Sequence, residues 1–424
     1  MAIDDDGIMV SGSAGSIMSD SKSKRTRVLF LAWGDSIHAR RRIQIFIDDP
    51  AFEVIIVSTH DYRFSGAENI LLRSVSGYSF VGQILRSIRY LSSDLLLFRL
   101  LEDTWKSLID LVQLVLIANK KRPDVIFLQT MLYPCYLALF LPRSIPLIVT
   151  FWNGDITWWA KWDGVERLLK KQIVTWGVRR ALAITVNSQA AFDACLGYGA
   201  QADKVHLIRY PGVDMRRFHP ADKQVARRKL DMATEHVVFA PRGLGSYLNS
   251  DVIIDAAKLV VRYHPGVMFV ISCAIASNDE LEKHKSKSIS LGIEKNCRWI
   301  PKIAWEEMPD YYNAADVMVS ISSNDSLPNC MLEAMACGTP IIMGDIPQIR
   351  ECVLDGQNGF LVPPRDSKLL SERILNIFGT PSIVGHFATE NKKIVEREMD
   401  SVKNGKLIKD LVFQVASTGT YRYQ

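Results

Sequence analysis

Short apolar runs recur along the first half of the chain, and each ends in a polar or glycine-containing turn. They are rich in Val, Ile, Leu and Phe, which is typical of strands buried on both faces of a parallel sheet. The first run, residues 27–32, is followed by a predicted helix at 38–47 and a second strand at 52–58. This strand–helix–strand order predicts a doubly wound α/β domain. Further strands are predicted at 124–129, 146–151, 183–188 and 205–210.

The stretch at residues 68–121 has Leu and Ile at three- and four-residue spacing, which predicts mostly helix. Its most apolar segments, 95–101 and 108–117, are too short and too interrupted to cross a bilayer. They could pack in the core or form a surface that faces a membrane, and the sequence leaves both uses open.

The second half of the chain repeats the pattern and predicts a second doubly wound domain. Pro211 and Gly212 suit a hinge, so the domains are predicted at 26–212 and 213–395. A polar tail at 1–25, for which disorder is expected, precedes them, and a final segment at 396–424 follows. Strands are predicted at 237–242, 267–271, 298–300, 316–321 and 339–343, and helices at 307–315 and within 366–415.

One strand–turn–helix–strand unit, residues 316–343, contains two carboxylates. Asp325 lies in the turn, Glu333 lies in a short helix predicted for 329–337, and Gly338 suits a left-handed helix end. A helix N-terminus at the carboxyl edge of a parallel sheet attracts anions such as phosphate. The residues alone equally allow Asp325 to cap the helix and Glu333 to face solvent.

Composition narrows the choice of function. A net charge of +5 is too mild to predict a nucleic-acid-binding face. The seven cysteines show no Cys-x-x-Cys spacing, so we expect buried thiols in a reducing compartment and neither disulfides nor a zinc site. Without a signal-peptide pattern or a run of 18 apolar residues, we expect a cytoplasmic protein, with the cytoplasmic face of the membrane as an alternative.

The stretch from Glu333 to Pro340, Glu-Ala-Met-Ala-Cys-Gly-Thr-Pro, and the later stretch 349–364 resemble the signature of glycosyltransferase family 4. The resemblance runs through most of residues 26–400 and is strongest in the second half. It implies the GT-B arrangement, in which two Rossmann-like domains face each other across a cleft and the last helix returns to the first domain. It also implies a retaining glycosyltransferase that uses a nucleotide diphosphate sugar and requires no metal or other cofactor.

The resemblance assigns roles to individual residues. Glu333 would bind the ribose, Asp325 would contact the donor sugar, and Arg242 would hold the diphosphate. A Lys that usually follows this Arg is missing, and Tyr247 or Asn249 stands in its place. The remaining charge must therefore be met by Arg242, backbone amides or a group of the first domain. The other predicted donor-binding residues are Gly243, Ser326, Leu327, Pro328, Asn329 and Gly34.

The first-domain wall of the cleft is predicted from the ends of its strands. Asp155 is a third catalytic candidate, which would hold the transferred sugar or the acceptor hydroxyl, although it could equally close its own loop. Asp35 and His38 are predicted on the acceptor side, and a packed or solvated His38 is the alternative.

The acceptor is expected to be a lipid-linked molecule or a polysaccharide of the cell envelope. A segment rich in Trp and basic residues suits contact with anionic lipid, with core packing as the alternative. This segment contains Trp158, Trp159, Trp162, Trp176, Lys161, Arg167, Lys170, Lys171, Arg179 and Arg180. An inactive donor-binding subunit and a sugar-nucleotide epimerase are the rival functions.

Overall fold

The computed structural model describes residues 25–32, 37–59, 63–72, 96–152, 154–157, 164–274 and 276–420. Two parallel sheets form the framework, as the sequence predicts. The first has seven strands in the order β3-β2-β1-β4-β5-β6-β7, and the second has six in the order β10-β9-β8-β11-β12-β13. All pairs within each sheet are parallel. The fold is therefore α/β with two doubly wound domains, which confirms the predicted fold class.

The described part of the first domain contains seven strands and four α-helices. The strands are β1 (Thr26–Leu31), β2 (Phe52–Ser58), β3 (Glu68–Leu71), β4 (Val125–Leu128), β5 (Leu147–Thr150), β6 (Ala183–Val186) and β7 (Val205–Leu207). The helices are α1 (Ile37–Ile47), α2 (Leu96–Lys121), α3 (Gly164–Arg180) and α4 (Gln189–Gly197), and 3₁₀ turns lie at Cys135–Phe140 and Ala202–Lys204.

The second domain follows the same plan. Its strands are β8 (Val237–Ala240), β9 (Met268–Ser272), β10 (Cys297–Ile300), β11 (Val317–Ser320), β12 (Ile341–Gly344) and β13 (Phe360–Val362). Its helices are α5 (Lys223–Lys229), α6 (Ser250–Val261), α7 (Asn278–Ser290), α8 (Met308–Ala314), α9 (Asn329–Ala336), α10 (Pro347–Arg350), α11 (Ser367–Gly379) and α12 (Pro381–Ile394). Short 3₁₀ turns lie at Ser246–Leu248 and Glu294–Asn296.

Burial on both faces explains why the strands are continuously apolar. In β1, Val28 and Phe30 pack into the layer on one side of the sheet, and Leu29 and Leu31 pack into the layer on the other. All four side chains are fully buried. Because successive strand residues point to opposite faces, a strand covered on both sides has no polar position, and its sequence loses the alternation of a half-exposed strand.

The chain crosses between the domains twice, and the two crossings lie side by side. After the π-helical turn Val395–Met399, the chain pairs with the first crossing, where Val213 N donates to Met399 O (2.8 Å) and Ser401 N donates to Val213 O (3.0 Å). The final helix α13 (Ser401–Thr420) then packs on the first sheet. Its Phe413 ring stacks on Phe52 at 4.5 Å.

The stretch predicted as mostly helical, residues 68–121, is only partly so. Glu68–Leu71 is the edge strand β3, and the helix α2 covers Leu96–Lys121. The prediction was wrong for β3 because an edge strand of four residues with partly exposed side chains has neither the apolar run nor the alternation that marks a strand. Residues 73–95 lie outside the described part of the chain.

Candidate active site

A cavity of about 420 Å³ lies between the two domains, where the carboxyl ends of their strands face each other. The first domain and the linker contribute Arg42, Trp152, Asn187, Arg209 and Tyr210 to its wall. The second domain contributes Arg242, Tyr247, the turn at residues 324–328 and Asn329, the first residue of α9. Carboxyl ends of parallel strands are where open α/β folds bind ligands, so this cavity is the candidate active site.

Asp325 and Arg242 form an ion pair on the second-domain wall, with Arg242 Nη2 2.8 Å from Asp325 Oδ2. The other carboxylate oxygen accepts from the Ser326 N–H at 2.9 Å. Burial raises the pKa of the Asp325 carboxyl, although Arg242 opposes that shift. The sequence placed both residues at the donor, and the structure brings them together on one wall of the cavity.

The N-terminus of α9 points at the same space. Ser326, Leu327, Pro328 and Asn329 line the cavity, and no side chain of the described residues caps the helix. Its first N–H groups are therefore available to an anion, as the macrodipole also favours. Ser326 Oγ also donates across the cleft to Asn187 Oδ1 at 2.8 Å.

The loop after β8 settles which residue stands in place of the missing Lys. Tyr247 lies on the cavity wall, whereas Asn249 is buried and its amide donates to Ile321 O (2.7 Å) and Ser323 Oγ (2.8 Å). Gly243, with φ of +94°, turns the chain directly after Arg242 and is not among the described residues on the wall. Tyr247 therefore occupies the position, and a phenol brings no positive charge.

Glu333 lies to one side of this cavity and lines a neighbouring cavity of about 920 Å³. The two cavities share the linker residues Tyr210, Pro211 and Gly212. One carboxylate oxygen is 2.9 Å from Arg41 Nη1 of the first domain, and the other accepts from the Tyr312 hydroxyl at 2.9 Å. Burial raises the pKa of Glu333, and Arg41 opposes the shift. Glu333 is thus a buried group that joins the domains, and not a solvated one.

Asp155 is held inside the first domain. One carboxylate oxygen accepts from Thr130 Oγ1 (2.7 Å) and the Met131 N–H (3.0 Å), and the other accepts from the Trp152 N–H (2.7 Å). The side chain is buried and is not among the described residues that line the cavity. The geometry therefore favours the loop-closing alternative, because both oxygens already hold the ends of β4 and β5 in place.

Three predicted residues lie wholly or partly outside the described part of the chain. Gly34 and Asp35 lie outside the described residues. His38 belongs to α1, but its side chain also lies outside the described part. Their predicted roles stay predictions.

Two arginines of the cavity wall, Arg42 and Arg209, were missed at the level of sequence. Arg209 interacts with Glu351 (3.5 Å) and Glu398 (3.2 Å). Arg42 is the last of three consecutive arginines, and successive residues of a helix point about 100° apart. Arg41 consequently reaches Glu333, while Arg42 reaches the cavity. The run of three arginines at 40–42 was the signal in the sequence that could have indicated a first-domain cation facing the predicted anion site.

One group of the described residues has metal-ligand chemistry, namely Glu235, His236 and His264, with ligand atoms within 4.8 Å of one another. It lines neither of the two cavities, and the His236 ring stacks on Phe378 at 4.0 Å. The prediction that no metal takes part in the reaction stays a prediction.

Residues 49–217 match the family model described as Glycosyltransferase Family 4, and residues 222–393 match the model described as Glycosyl transferases group 1. The chain belongs to glycosyltransferase family 4. The two matches meet close to the linker, so each covers most of one domain of this family 4 protein.

The family 4 protein is similar to curated relatives over part of its length. It is 30% identical over 214 residues to a D-inositol 3-phosphate glycosyltransferase of Saccharomonospora viridis, which is 49% of each chain. It is 34% identical over 176 residues to the protein of the same name from Geodermatophilus obscurus, which is 40% of this chain and 39% of the relative. The match thus spans about half the length of these relatives, or less.

Solved structures resemble the family 4 protein over nearly its whole length. Anabaena HepE in complex with UDP aligns with a TM-score of 0.73 at 18% identity, covering 92% of this chain and 100% of that one. Sucrose-phosphate synthase from Thermosynechococcus elongatus aligns with a TM-score of 0.73 at 15% identity, covering 93% and 100%. At such identities the likeness shows the GT-B fold.

Proposed function

We propose that this family 4 protein transfers a sugar from a nucleotide diphosphate sugar to an acceptor hydroxyl. The observation that carries the proposal is the uncapped N-terminus of α9, which faces the interdomain cavity beside Arg242 and Asp325. A helix N-terminus and a guanidinium together suit the oxygens of a diphosphate. The S. viridis relative is named a glycosyltransferase, and the HepE structure contains UDP.

The proposed reaction retains the configuration of the transferred sugar. The bond between the anomeric carbon and the diphosphate oxygen breaks, the acceptor oxygen bonds to the anomeric carbon, and the acceptor proton passes to the departing phosphate. Arg242 and the N–H groups of α9 would stabilise the charge that develops on the leaving group. Asp325 would contact the sugar and Glu333 the ribose. We propose that no metal takes part in this scheme, as the resemblance to the family implies.

For Glu333 to bind a ribose, its carboxylate must exchange a present partner. Tyr312 is fully buried, whereas the Arg41 side chain is 24% exposed and lies over the Trp305 ring at 5.0 Å. Arg41 is therefore the partner that can move aside. Donor binding would in this way be linked to the contact between the domains.

Thermal shift with and without nucleotide tests the donor site. UDP, GDP, ADP and their common sugar conjugates are screened, since a ligand that binds the native state raises its melting temperature. One nucleotide is expected to stabilise the wild type and Glu282→Ala, an exposed control, but not Glu333→Ala. A wild type that responds to no nucleotide contradicts the proposal.

Turnover separates the proposed enzyme from the rival functions. The enzyme is expected to hydrolyse its donor slowly without acceptor and to transfer the sugar once an acceptor is supplied. Tight donor binding without turnover on any acceptor would favour the inactive subunit, which the replacement of the usual Lys by Tyr247 keeps open. Conversion of the donor to its epimer would favour the epimerase.

We further propose a lipid-linked or polysaccharide acceptor of the cell envelope and peripheral contact with an anionic membrane. Helix α2 exposes Leu108, Val112 and Leu116, which are spaced four residues apart on one face and are 51%, 53% and 63% exposed. Leu168 and Leu169 of α3 are exposed too, beside Arg167 and Lys171. Both helices pack against the same 3₁₀ turn, Cys135–Phe140, so these apolar and basic groups share one region of the first domain.

The described helices include none long and apolar enough to cross a bilayer. The contact that we propose is with the membrane surface. Trp176, which the sequence offered for this contact, instead packs edge-on against Phe140 at 4.8 Å. Trp158, Trp159 and Trp162 lie outside the described residues. Wild type is expected to sediment with anionic vesicles at low salt and Leu116→Glu to bind them more weakly. Tyr263→Glu, at an exposed aromatic of the second domain, is the control.

A further inference from the structure

Arg42 is a buried cation without a carboxylate partner among the described residues. Its side chain is 5% exposed and lines the interdomain cavity. Nη2 donates to Tyr210 O at 3.1 Å, while Nε and Nη1 have no hydrogen-bond partner within the described ranges. The guanidinium also lies over the Trp152 ring, 5.3 Å from its centroid. Most of its N–H donors are therefore available to an acceptor bound in the cavity.

Such an arrangement is unfavourable by itself. A buried charge normally requires a partner of opposite charge, and buried N–H groups without acceptors lose the hydrogen bonds they had in water. The acid that interacts electrostatically with Arg42 is Asp155, whose oxygens are already engaged with Thr130 and with two backbone N–H groups. Burial lowers the pKa of Arg42 to about 10, so the side chain still carries its charge at neutral pH.

The other two arginines of the wall are already paired. Arg242 is partly neutralised by Asp325, and Arg209 lies between Glu351 and Glu398. No Lys is present among the described residues on the wall. A diphosphate brings at least two negative charges, which Arg242 and one helix N-terminus do not balance. Among the described residues of the wall, Arg42 is the cation that has no carboxylate partner.

We propose that Arg42 binds the donor diphosphate from the first-domain side, so that the diphosphate is held between Arg42 and the Arg242–α9 wall of the second domain. The inference rests on the proposed function, because it assigns a further ligand to the same donor. It also supplies the first-domain group that the sequence required once the usual Lys was found to be missing. A nucleoside monophosphate, which lacks the second phosphate, should gain much less from Arg42.

A purely structural role is the alternative. Arg42 could serve only to brace the linker, since Tyr210 also donates its hydroxyl to the Arg42 backbone carbonyl. The two roles differ in what removal of the charge does. A brace stabilises the protein with or without ligand, whereas an unpaired cation costs stability until its anion arrives.

The test compares a nucleoside diphosphate with its monophosphate by calorimetry on the full chain. Arg42→Met keeps an apolar stem of similar length, Arg42→Lys keeps the charge, and Arg262→Gln removes an exposed charge directly after α6. Arg42→Met is expected to keep or raise the melting temperature without ligand. It should bind the diphosphate about 10- to 100-fold more weakly and the monophosphate almost normally. Arg42→Lys should be intermediate, and Arg262→Gln should match wild type.

If Arg42→Met lowers the melting temperature but keeps the ratio of diphosphate to monophosphate affinity, the inference is overturned and the proposed function stands. If wild type binds neither nucleotide in the UDP, GDP and ADP series, the proposed function fails and the inference with it. Should Arg42→Met not fold, the affinity ratio in Arg42→Lys decides, and a ratio equal to that of wild type overturns the inference.

Discussion

The ion pair between Arg41 and Glu333 joins residues 292 positions apart and is open to a decisive test. We consider Arg41→Met, Glu333→Gln and the double variant. The two single variants are not equivalent, because the Glu333 side chain is 5% exposed and that of Arg41 is 24% exposed. Removing Arg41 leaves a buried, charged carboxylate that still accepts from the Tyr312 hydroxyl, whereas removing the charge of Glu333 leaves an arginine that can turn to solvent.

The expected magnitude follows from this burial. Removing one partner of a fully buried pair costs about 3–5 kcal/mol, and partial exposure of Arg41 reduces that to about 2 kcal/mol for Arg41→Met. For a domain of roughly 200 residues, this corresponds to a fall of about 4–8 °C in melting temperature. Glu333→Gln should cost less than about 1 kcal/mol, since the amide still accepts from Tyr312. The double variant should be more stable than the sum of the single losses predicts.

The loss should also depend on pH. Burial already raises the pKa of Glu333, with Arg41 opposing the shift, so Arg41→Met raises that pKa further. A carboxyl whose pKa is raised by folding binds its proton more tightly in the native state, and stability falls as pH rises through the folded-state pKa. The deficit of Arg41→Met should therefore be small near pH 5 and grow toward pH 8. Replacing Glu333 as well should abolish the trend.

Thermal denaturation of the four proteins from pH 5 to pH 8 measures both effects. Arg350→Met serves as the matched control, because Arg350 makes a two-pronged pair with Asp345 at the surface, where its side chain is 61% exposed. That control should change little with pH. Strictly additive losses, or an Arg41→Met deficit that is the same at every pH, would refute the reasoning about Glu333.

Three further predictions concern the interior. Asp155→Asn should lower the melting temperature of the first domain, because it weakens the hydrogen bonds to Thr130 and to two N–H groups. The expected cost is about 1–3 kcal/mol. Unchanged stability with lost sugar transfer would instead indicate a substrate contact. Gly212→Ala should cost at least about 3 kcal/mol, because φ is +74° and an added Cβ would lie 2.2 Å from Met399 O. Gly379→Ala, whose added Cβ would meet no atom within 4 Å, is the control for calorimetry. All seven cysteines are buried, and burial raises the pKa of Cys135 and Cys195 to about 12, so a thiol reagent at pH 8 should react only after unfolding; rapid reaction of the native protein contradicts this.

Much of the fold was accessible from sequence because its determinants are local. The helix of the signature unit was predicted at 329–337 and is observed at Asn329–Ala336, and Gly338 has the expected left-handed φ of +72°. The strand predicted at 52–58 is observed at Phe52–Ser58. Apolar runs, turn residues and helix ends act over a few neighbouring positions, so the chain displays them directly. The turn containing Asp325 and the strand end containing Arg242 could be located for the same reason.

What only the tertiary structure decided is how side chains from the two domains meet. The sequence does not distinguish Arg41 from Arg42, although Arg41 pairs with Glu333 and Arg42 lines the cavity. Nor does it show whether Asp155 faces substrate or holds two loops together. It also missed the edge strand β3, whose identity comes from pairing with β2. These outcomes depend on the approach of residues that are far apart in the chain, and on the burial that this approach creates. Local pattern determined where the strands and helices lie, while burial and charge pairing between the domains decided what each polar side chain can do.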